Sequence, residues 1–439
     1  ADVLSETMLQ LRRVWEEVLH TEELGLQIVP STSFFTIGGN SLLVVRLQSR
    51  IRHLFNVTVR LVDLLEASSL SAMAKLIEES ITVDAIDWKH ESALPPDVTA
   101  LSPSISLAQH PLKATGSVIL ITGAAGFLGK HILTELISNP NIRQIHCIGL
   151  REKTPGTPRT LAVSSKKIIT HAGDLSDPNL GLSESTFARL AQEVDSILHM
   201  GAVRSFWDNY HLLRASNVLP TRELVKLAAP RQIPIHYIST AGVLPANTAD
   251  TDNVVVAAES VAAHPPPTDG SQGYIATRWV CEQLLHAATT QLHIPTTIHR
   301  FVPAPPGEES TLPALQHFLT FIDSLSLKPD FRGTKGHFEM IPVHDAAGSL
   351  ASALVQGPGV HTAVEDKDAT SPRFVHHECP VRIDIGEMQR FMEQERGDTP
   401  LPTSPLLKWI GQMKRSGLEY FVTSQVLLMG DGEELESRR

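Results

Sequence analysis

The sequence predicts a doubly wound, parallel α/β sheet preceded by a small helical bundle, and three observations carry that expectation. In residues 119–130, ILITGAAGFLGK, β-prone apolar residues run into three spaced glycines, and helical spacing follows at Leu128, Ile132, Leu133, Leu136 and Ile137. From residue 117 onward, strand-like and helix-like segments alternate. Ahead of them, about 80 residues hold apolar positions at helical spacing.

The bulk properties narrow the function classes. A chain of 439 residues is long enough for two or three domains, and 42% hydrophobic with 19% charged residues is an ordinary globular balance. The net charge of −11 argues against nucleic acid and against an anionic membrane surface as partners. No apolar run approaches the ~20 residues that span a bilayer, and the N-terminus has no signal-like apolar core. Cys147, Cys281 and Cys379 are odd in number and scattered. That pattern suggests reduced thiols of a cytoplasmic protein, without a disulfide frame or a metal site. A start at Ala1 and a polar GDGEELESRR tail suggest a piece of a larger protein.

In chain order, residues 3–20 place Met8, Leu11, Trp15, Val18 and Leu19 on one helical face. Phe34 and Phe35 offer a buried anchor, Gly38-Gly39 a turn, and Ser41 opens the next helix. Helices over 62–67 and 71–81 complete a bundle over residues 1–82. Serine is favoured at a helix start for hydrogen-bonding reasons alone. An exposed hydroxyl there can equally carry an arm whose phosphate lies by the positive helix end. Residues 83–116, rich in proline and serine, read as a linker, with Trp88 and Leu94 able to pin part of it to the next domain.

Strands are expected at 117–122, 144–150, 167–171, 195–200, 233–239 and 296–302, with helices at 126–139, 211–229 and 272–289. The region 117–439 forms the second domain, and from about 303 it reads as a substrate cap with helical pieces at 312–325, 345–355, 384–394 and 405–416. Ligands of such sheets lie beyond the carboxyl ends of the strands. There Gly123 permits a tight turn, Gly126 lets backbone N–H groups approach a diphosphate, and Gly129 lets the helix lie close. With Phe127 and Leu128, they form the candidate nucleotide loop, which Asp174 and Leu175 join from the end of strand 167–171. Strand 144–150 runs into Arg151, with Lys153 close by, where an acid would grip the ribose of NAD. An arginine suits the 2′-phosphate of NADP(H) instead.

A second constellation lies further on. Ser239-Thr240 close a strand, and Tyr274 and Arg278 are four apart on one helix face. A hydroxyl, a phenol and a cation around a carbonyl make an oxyanion and proton-transfer site. A core tyrosine is the plainer reading of Tyr274, and His199, His211 and His236 read as structural.

Three resemblances sharpen this picture. FFTIGGNSL resembles the F-F-x-x-G-G-x-S-L motif of acyl and peptidyl carrier domains. It implies 4′-phosphopantetheine on Ser41, attached by a phosphopantetheinyl transferase, with Asn40 where the family often has Asp or His. Residues 117 to about 300 resemble the extended short-chain dehydrogenase/reductases, a Rossmann-type family with a Ser/Thr and a Tyr-x-x-x-Lys set. The resemblance implies Thr240, with Ser239 as the adjacent alternative, Tyr274, and Arg278 at the lysine position. The domain order, IDWKHESALPP and LPTSPLLKWIGQMKRSGLEYF resemble fungal polyketide synthase–nonribosomal peptide synthetase hybrids. That likeness implies upstream condensation and adenylation domains and release of a β-ketoacyl-aminoacyl thioester. In many such hybrids release is a Dieckmann condensation to a tetramic acid (pyrrolidine-2,4-dione), without redox. The intact glycine loop, Arg151, Thr240 and Tyr274 keep NADPH-dependent reduction to an aldehyde or alcohol as the alternative, and a non-catalytic scaffold as a third.

Overall fold

The computed structural model describes residues 5–19, 27–39, 41–80, 85–100, 116–150, 160–205, 208–244, 260–270, 272–301, 322, 327–330, 337–356, 371–377, 381–384 and 402–405. Asn40, Arg151, Lys153, Cys379, the C-terminal tail and most of the helices expected at 312–325, 384–394 and 405–416 lie outside the described residues.

The N-terminal unit is built from α1 (Glu6–Leu19), α2 (Ser41–Phe55), α3 (Leu61–Glu66) and α4 (Leu70–Glu78). Its core is separate from that of the rest, with Leu11, Trp15, Phe34, Leu47, Leu64 and Met73 fully buried. Trp15 meets Phe34 edge-on, with ring centroids 5.0 Å apart. Phe34 also fixes the turn before Ser41. The Gly39 N–H donates to the Phe34 carbonyl at 2.9 Å, and a Cβ on Gly39 would lie 2.3 Å from the Phe34 ring. Gly39 is therefore a steric consequence of seating that aromatic, while Gly38 is called for by its φ of +106°. Ser69 caps α4 by accepting from the Ala72 N–H at 3.2 Å.

The expected linker is partly structured. Short helices α5 (Trp88–Glu91) and α6 (Pro96–Thr99) pack on the second unit, and Trp88, Leu94 and Val98 are buried in its core.

The second unit runs β1 (Ser117–Thr122), α7 (Phe127–Ser138), β2 (Ile142–Ile148), β3 (Ile168–His171), α8 (Glu184–Glu193), β4 (Ser196–His199), α9 (Tyr210–Asn217), α10 (Leu219–Ala228), β5 (Ile235–Thr240), α11 (Gly273–Leu292) and β6 (Thr296–Phe301). It continues with β7 (Lys328–Asp330), β8 (His337–Met340), α12 (Val343–Gln356), β9 (Arg373–His376), β10 (Val381–Asp384) and β11 (Thr403–Pro405). Seven strands form a parallel sheet in the order β3-β2-β1-β4-β5-β6-β9. The order reverses between β1 and β4, so the crevice for a ligand opens beyond the carboxyl ends of those two strands. Side chains alternate between two cores. Val118, Leu120, Ile197, Tyr237 and Ile298 meet α8, α10 and α11, while Ile119, Ile121, Cys147 and Leu198 meet α7 and α12.

Two differences from expectation have local causes. The helix expected over 211–229 is two, α9 and α10, because Pro220 has no N–H to continue the ladder and ends the first helix near Val218. The region after 303 is also more than a cap, since α12 packs on α7 and β9 extends the sheet beside β6. Among the described residues, the rest of it forms two small sheets, β8 with β10 and β7 with β11.

Candidate functional site

The glycine loop is set by close approach of three backbone segments. Gly123 has φ +78°, and a Cβ there would lie 2.8 Å from the Gly201 nitrogen, where β4 ends. A Cβ on Gly129 would fall 2.4 Å from the carbonyl oxygens of Gly123 and Ala124, so the first turn of α7 lies against the loop. Gly126 differs: its only near neighbour would be the Gly123 oxygen, at 3.1 Å, and it precedes α7 without a side-chain cap. The N–H groups of the first turn, at Phe127, Leu128 and Gly129, are thus left for an anion. Phe127 is exposed. Leu175 packs over Gly149 and Gly201 at the ends of β2 and β4, and Asp174 beside it accepts from the Ser176 N–H at 2.9 Å. The structure therefore gathers Gly123, Gly126, Phe127, Leu128, Gly129 and Leu175 around the switch point, and the loop fits a dinucleotide diphosphate.

Beneath the loop runs a directed chain of hydrogen bonds. Gly201 N–H donates to Thr122 Oγ1 at 3.0 Å, and because Thr221 spends its own proton on Cys281 and so accepts from His199 Nε2, His199 Nδ1 accepts from the Thr122 hydroxyl at 2.6 Å. His199 Nε2–H then donates to Thr221 Oγ1 at 3.2 Å, and Thr221 donates to Cys281 Sγ at 3.1 Å. Cys281 ends the chain on the Asn217 carbonyl at 3.2 Å. Burial, with a smaller contribution from Arg278, pushes His199 down to about 3. A buried neutral imidazole with both nitrogens engaged is a poor general base, and the residue acts as a tie between β1, β4 and α10.

The second constellation sits where β5 meets α11. Tyr274 is half-buried on the first turn of α11, and Arg278, one turn on, is 4% exposed. Its guanidinium lies 5.0 Å from the Tyr274 ring centroid and 5.4 Å from that of Tyr237. Its Nη1 donates to the Tyr237 hydroxyl at 2.8 Å and to the Ile238 carbonyl at 3.1 Å. Nε is buried without a partner among the described residues, a donor held in reserve. Burial disfavours the Arg278 charge, but the phenols of Tyr237 and Tyr274 outweigh it and keep the guanidinium protonated. Burial likewise drives the Tyr237 phenol far up, so it stays a neutral acceptor and holds Arg278 in place.

Ser239 and Thr240 fall on opposite faces of β5 and part company. Ser239 is buried and donates to Glu282 Oε1 at 2.5 Å. Glu282 also takes Arg300 Nε at 3.1 Å and, on Oε2, Nη2 at 2.6 Å, in a pair that is 1% and 0% exposed. The Ser239 hydroxyl is committed to this ion pair. Thr240 instead caps the turn Ala241–Val243, accepting from the Gly242 N–H at 3.2 Å and retaining its own proton. A Cβ on Gly242 would lie 2.9 Å from Ile275 and 3.6 Å from Thr240 Oγ1, so this turn sits against the start of α11 beside Tyr274. Sequence reading missed Tyr237, Glu282 and Arg300. The available signal was spacing, since Glu282 continues the four-residue interval of Tyr274 and Arg278 along α11.

A cleft of about 280 Å³ lies away from this site, between the two units, lined by Arg52, His53, Asn56, Thr58, Ala85, Thr268 and Asp269. It is an inter-unit gap, and no glycine-loop residue borders it. Among the described residues there is no cluster of metal-ligating side chains, and no helix is long and apolar enough to cross a membrane.

Comparison with known proteins now places the chain. Residues 121–347 match the NAD-binding family described as male sterility protein, and residues 10–77 match the phosphopantetheine attachment site. Hybrid PKS-NRPS synthetase traA of Penicillium crustosum is 57% identical over 99% of this chain, which spans only 11% of that protein. The chain thus covers about a tenth of the curated relatives it matches. Among solved structures, the terminal R domain from the myxalamid PKS-NRPS biosynthetic pathway superposes with a TM-score of 0.55 at 25% identity, covering 77% of this chain and 85% of that one. A thiolation-reductase di-domain from an archaeal nonribosomal peptide synthetase shares the fold over 99% of this chain and 90% of its own, with a TM-score of 0.52 at 16% identity. The carrier match makes 4′-phosphopantetheine the prosthetic group of the first unit, and the NAD-binding match admits NADP(H) in the second. The chain belongs to the NAD-binding male sterility protein family, joined to a phosphopantetheine attachment domain in the pairing shared with fungal hybrid PKS-NRPS synthetases.

Proposed function

We propose that the chain releases a β-ketoacyl-aminoacyl thioester, held on phosphopantetheine at Ser41, by Dieckmann condensation to a tetramic acid without redox. The observation that carries this reading is Arg278, at the position where short-chain reductases have lysine, with Nη1 bound to Tyr237 and the Ile238 carbonyl and its plane against Tyr274. A reductase lysine reaches the nicotinamide ribose on a flexible stem. A buried arginine tied to two internal acceptors keeps its field on the phenol while committing donors elsewhere.

The residues suit the chemistry. The carbon between the ketone and the amide carbonyl loses a proton, and the resulting enolate attacks the thioester carbon. The tetrahedral oxyanion then collapses, the carbon–sulfur bond breaks, and the thiolate recovers a proton. Thr240, which retains its hydroxyl proton, and Tyr274 donate to the developing oxyanion. Arg278, whose guanidinium lies against the Tyr274 ring, stabilises the enolate, and Tyr274 takes the carbon's proton as base before it donates to the oxyanion. Closing a five-membered ring within one tethered chain supplies proximity. The upstream partners in this reading are condensation and adenylation domains of a longer synthase, with a phosphopantetheinyl transferase acting on Ser41.

A second reading, reductive release, is favoured by one observation: the Gly123–Gly129 loop and the uncapped start of α7 fit a diphosphate. NADPH, when bound there, would supply hydride. The test loads the carrier with a β-ketoacyl-aminoacyl arm and compares products with and without NADPH. Equal yields of cyclic dione support condensation. An aldehyde that forms only with NADPH would replace it with reduction, and no release under either condition would leave a scaffold.

A further inference from the structure

Residues 86–98, expected from sequence to belong to a linker that Trp88 and Leu94 could pin in part, are bolted to the release domain. The Ile86 N–H donates to the Thr268 carbonyl at 2.8 Å. Trp88 is 7% exposed, and its Nε1–H donates to the Pro266 carbonyl at 2.7 Å. Its ring meets Tyr210 of α9 edge-on at 5.0 Å and Trp279 of α11 at 5.9 Å. Glu91 accepts from the Tyr210 hydroxyl at 2.5 Å and from Arg214 Nε at 2.6 Å, while Arg222 Nη2 donates to its backbone carbonyl at 2.7 Å. Burial would raise the Glu91 carboxyl, yet the hydrogen bonds from Arg214 and Tyr210 hold it below its usual value. Leu94 and Val98 then enter the same core.

An aromatic plug and a half-buried carboxylate held by both Tyr210 and Arg214 are far more than an extended linker needs. Trp279 adjoins Arg278 on α11, so the plug seats against the helix that carries the second constellation. On the carrier side, Asn209 at the start of α9 hydrogen-bonds Thr58, just past the end of α2. Ser41 opens that same helix, which runs about 21 Å from there to Phe55, three residues short of the contact.

We infer that residues 86–98 are an anchor that fastens the carrier to the release domain and shortens its working tether from residues 79–116 to residues 79–85. The inference rests on the release reading above, and it specifies how the thioester is delivered. Residues 79–85 number seven, counted from the end of α4 at Glu78 to Ile86, and reach ~25 Å at full extension. A short tether holds the loaded arm at high effective concentration beside one release domain and disfavours exchange with others.

The experiment places a Gly-Ser spacer of about ten residues at one of two points in the full chain, between Ser80 and Ala85 or between Ala100 and Gly116. Effective concentration falls as roughly the 3/2 power of tether length. With the anchor seated, the first spacer slows release of the chain's own loaded arm about four-fold and the second leaves it unchanged. A free tether over residues 79–116 would give the same ~1.4-fold loss for both spacers, and that result would overturn the inference. Turnover of a diffusible N-acetylcysteamine thioester of the same acyl group reports on the release reading separately; both spacers should leave it at the wild-type rate. Hydrogen exchange gives a readout independent of activity. Amides of residues 88–92 should exchange as slowly as those of α9, and exchange at the rate of an unstructured peptide would overturn the anchor whatever the enzyme releases.

Discussion

At the scale of single residues, the account turns on Tyr274, Arg278 and Thr240. Replacing Tyr274 with Phe removes one hydroxyl from a half-buried ring. Single-turnover release from the loaded carrier should then fall by about 10²–10³ with the fold unchanged, as for loss of an oxyanion donor. A wild-type rate would remove Tyr274 from the mechanism. Glu282→Ala is a stability variant. It removes the carboxylate shared by the Arg300 guanidinium, 0% exposed, and the Ser239 hydroxyl, and should cost about 3–5 kcal/mol in denaturant unfolding. The Tyr274–Arg278 pair was legible because i, i+4 spacing puts both on one helix face. The choice between Ser239 and Thr240 was not. Strand alternation says that they face opposite ways, but which face holds a carboxylate depends on Glu282, 43 residues away in sequence.

At the scale of elements, local pattern carried the strands of the sheet from residue 117 to 301 and the helices there other than α8, because alternating apolar runs and glycine turns are short-range signals. The loss at Pro220 was a missed stop signal within a run that is otherwise helical. The α5 anchor was legible only as two apolar residues in a polar stretch. Its fit depends on Tyr210, Arg214 and Trp279, brought in by tertiary folding. The glycine loop offers a test that separates architecture from chemistry. Gly126 has φ −80° and only one near neighbour for a Cβ, so Gly126→Ala should fold normally while crowding the approach of a diphosphate. Calorimetric titration should show NADPH binding weakened, and release from the loaded carrier should keep its rate. A parallel loss of release would tie the loop to the chemistry.

At the scale of the whole molecule, the α12 face of the sheet is tied together by buried histidines. His236 meets His299 at 3.1 Å, His299 meets His377 at 3.0 Å, and His377 meets Ser349 of α12 at 3.2 Å, linking β5, β6 and the end of β9 to the helix above. Burial first, then the neighbouring Arg373 for His236 and His376 for His377, pushes each of these two down to about 4. Unfolded, the same rings titrate near 6.5. Between about pH 6.5 and 4 the unfolded chain binds protons that the folded one refuses, so stability falls as pH drops through that window. Urea midpoints should decline from pH 7 to 5, and His236→Phe should flatten the decline; a variant with the wild-type slope would contradict the assignment. None of this stack was visible in sequence, where the three histidines are separated by 63 and 78 residues. The domain order was visible, because the carrier motif and the glycine loop are local. The measurement that bears most directly on the central claim is the mass of the product leaving the Ser41-bound arm in a single turnover without nicotinamide. Condensation expels the thiol and yields the acyl chain less one hydrogen, as the cyclic dione, at the same rate whether or not NADPH is added. A product heavier than that dione by two hydrogens, the aldehyde, formed only when NADPH is present, would contradict the account.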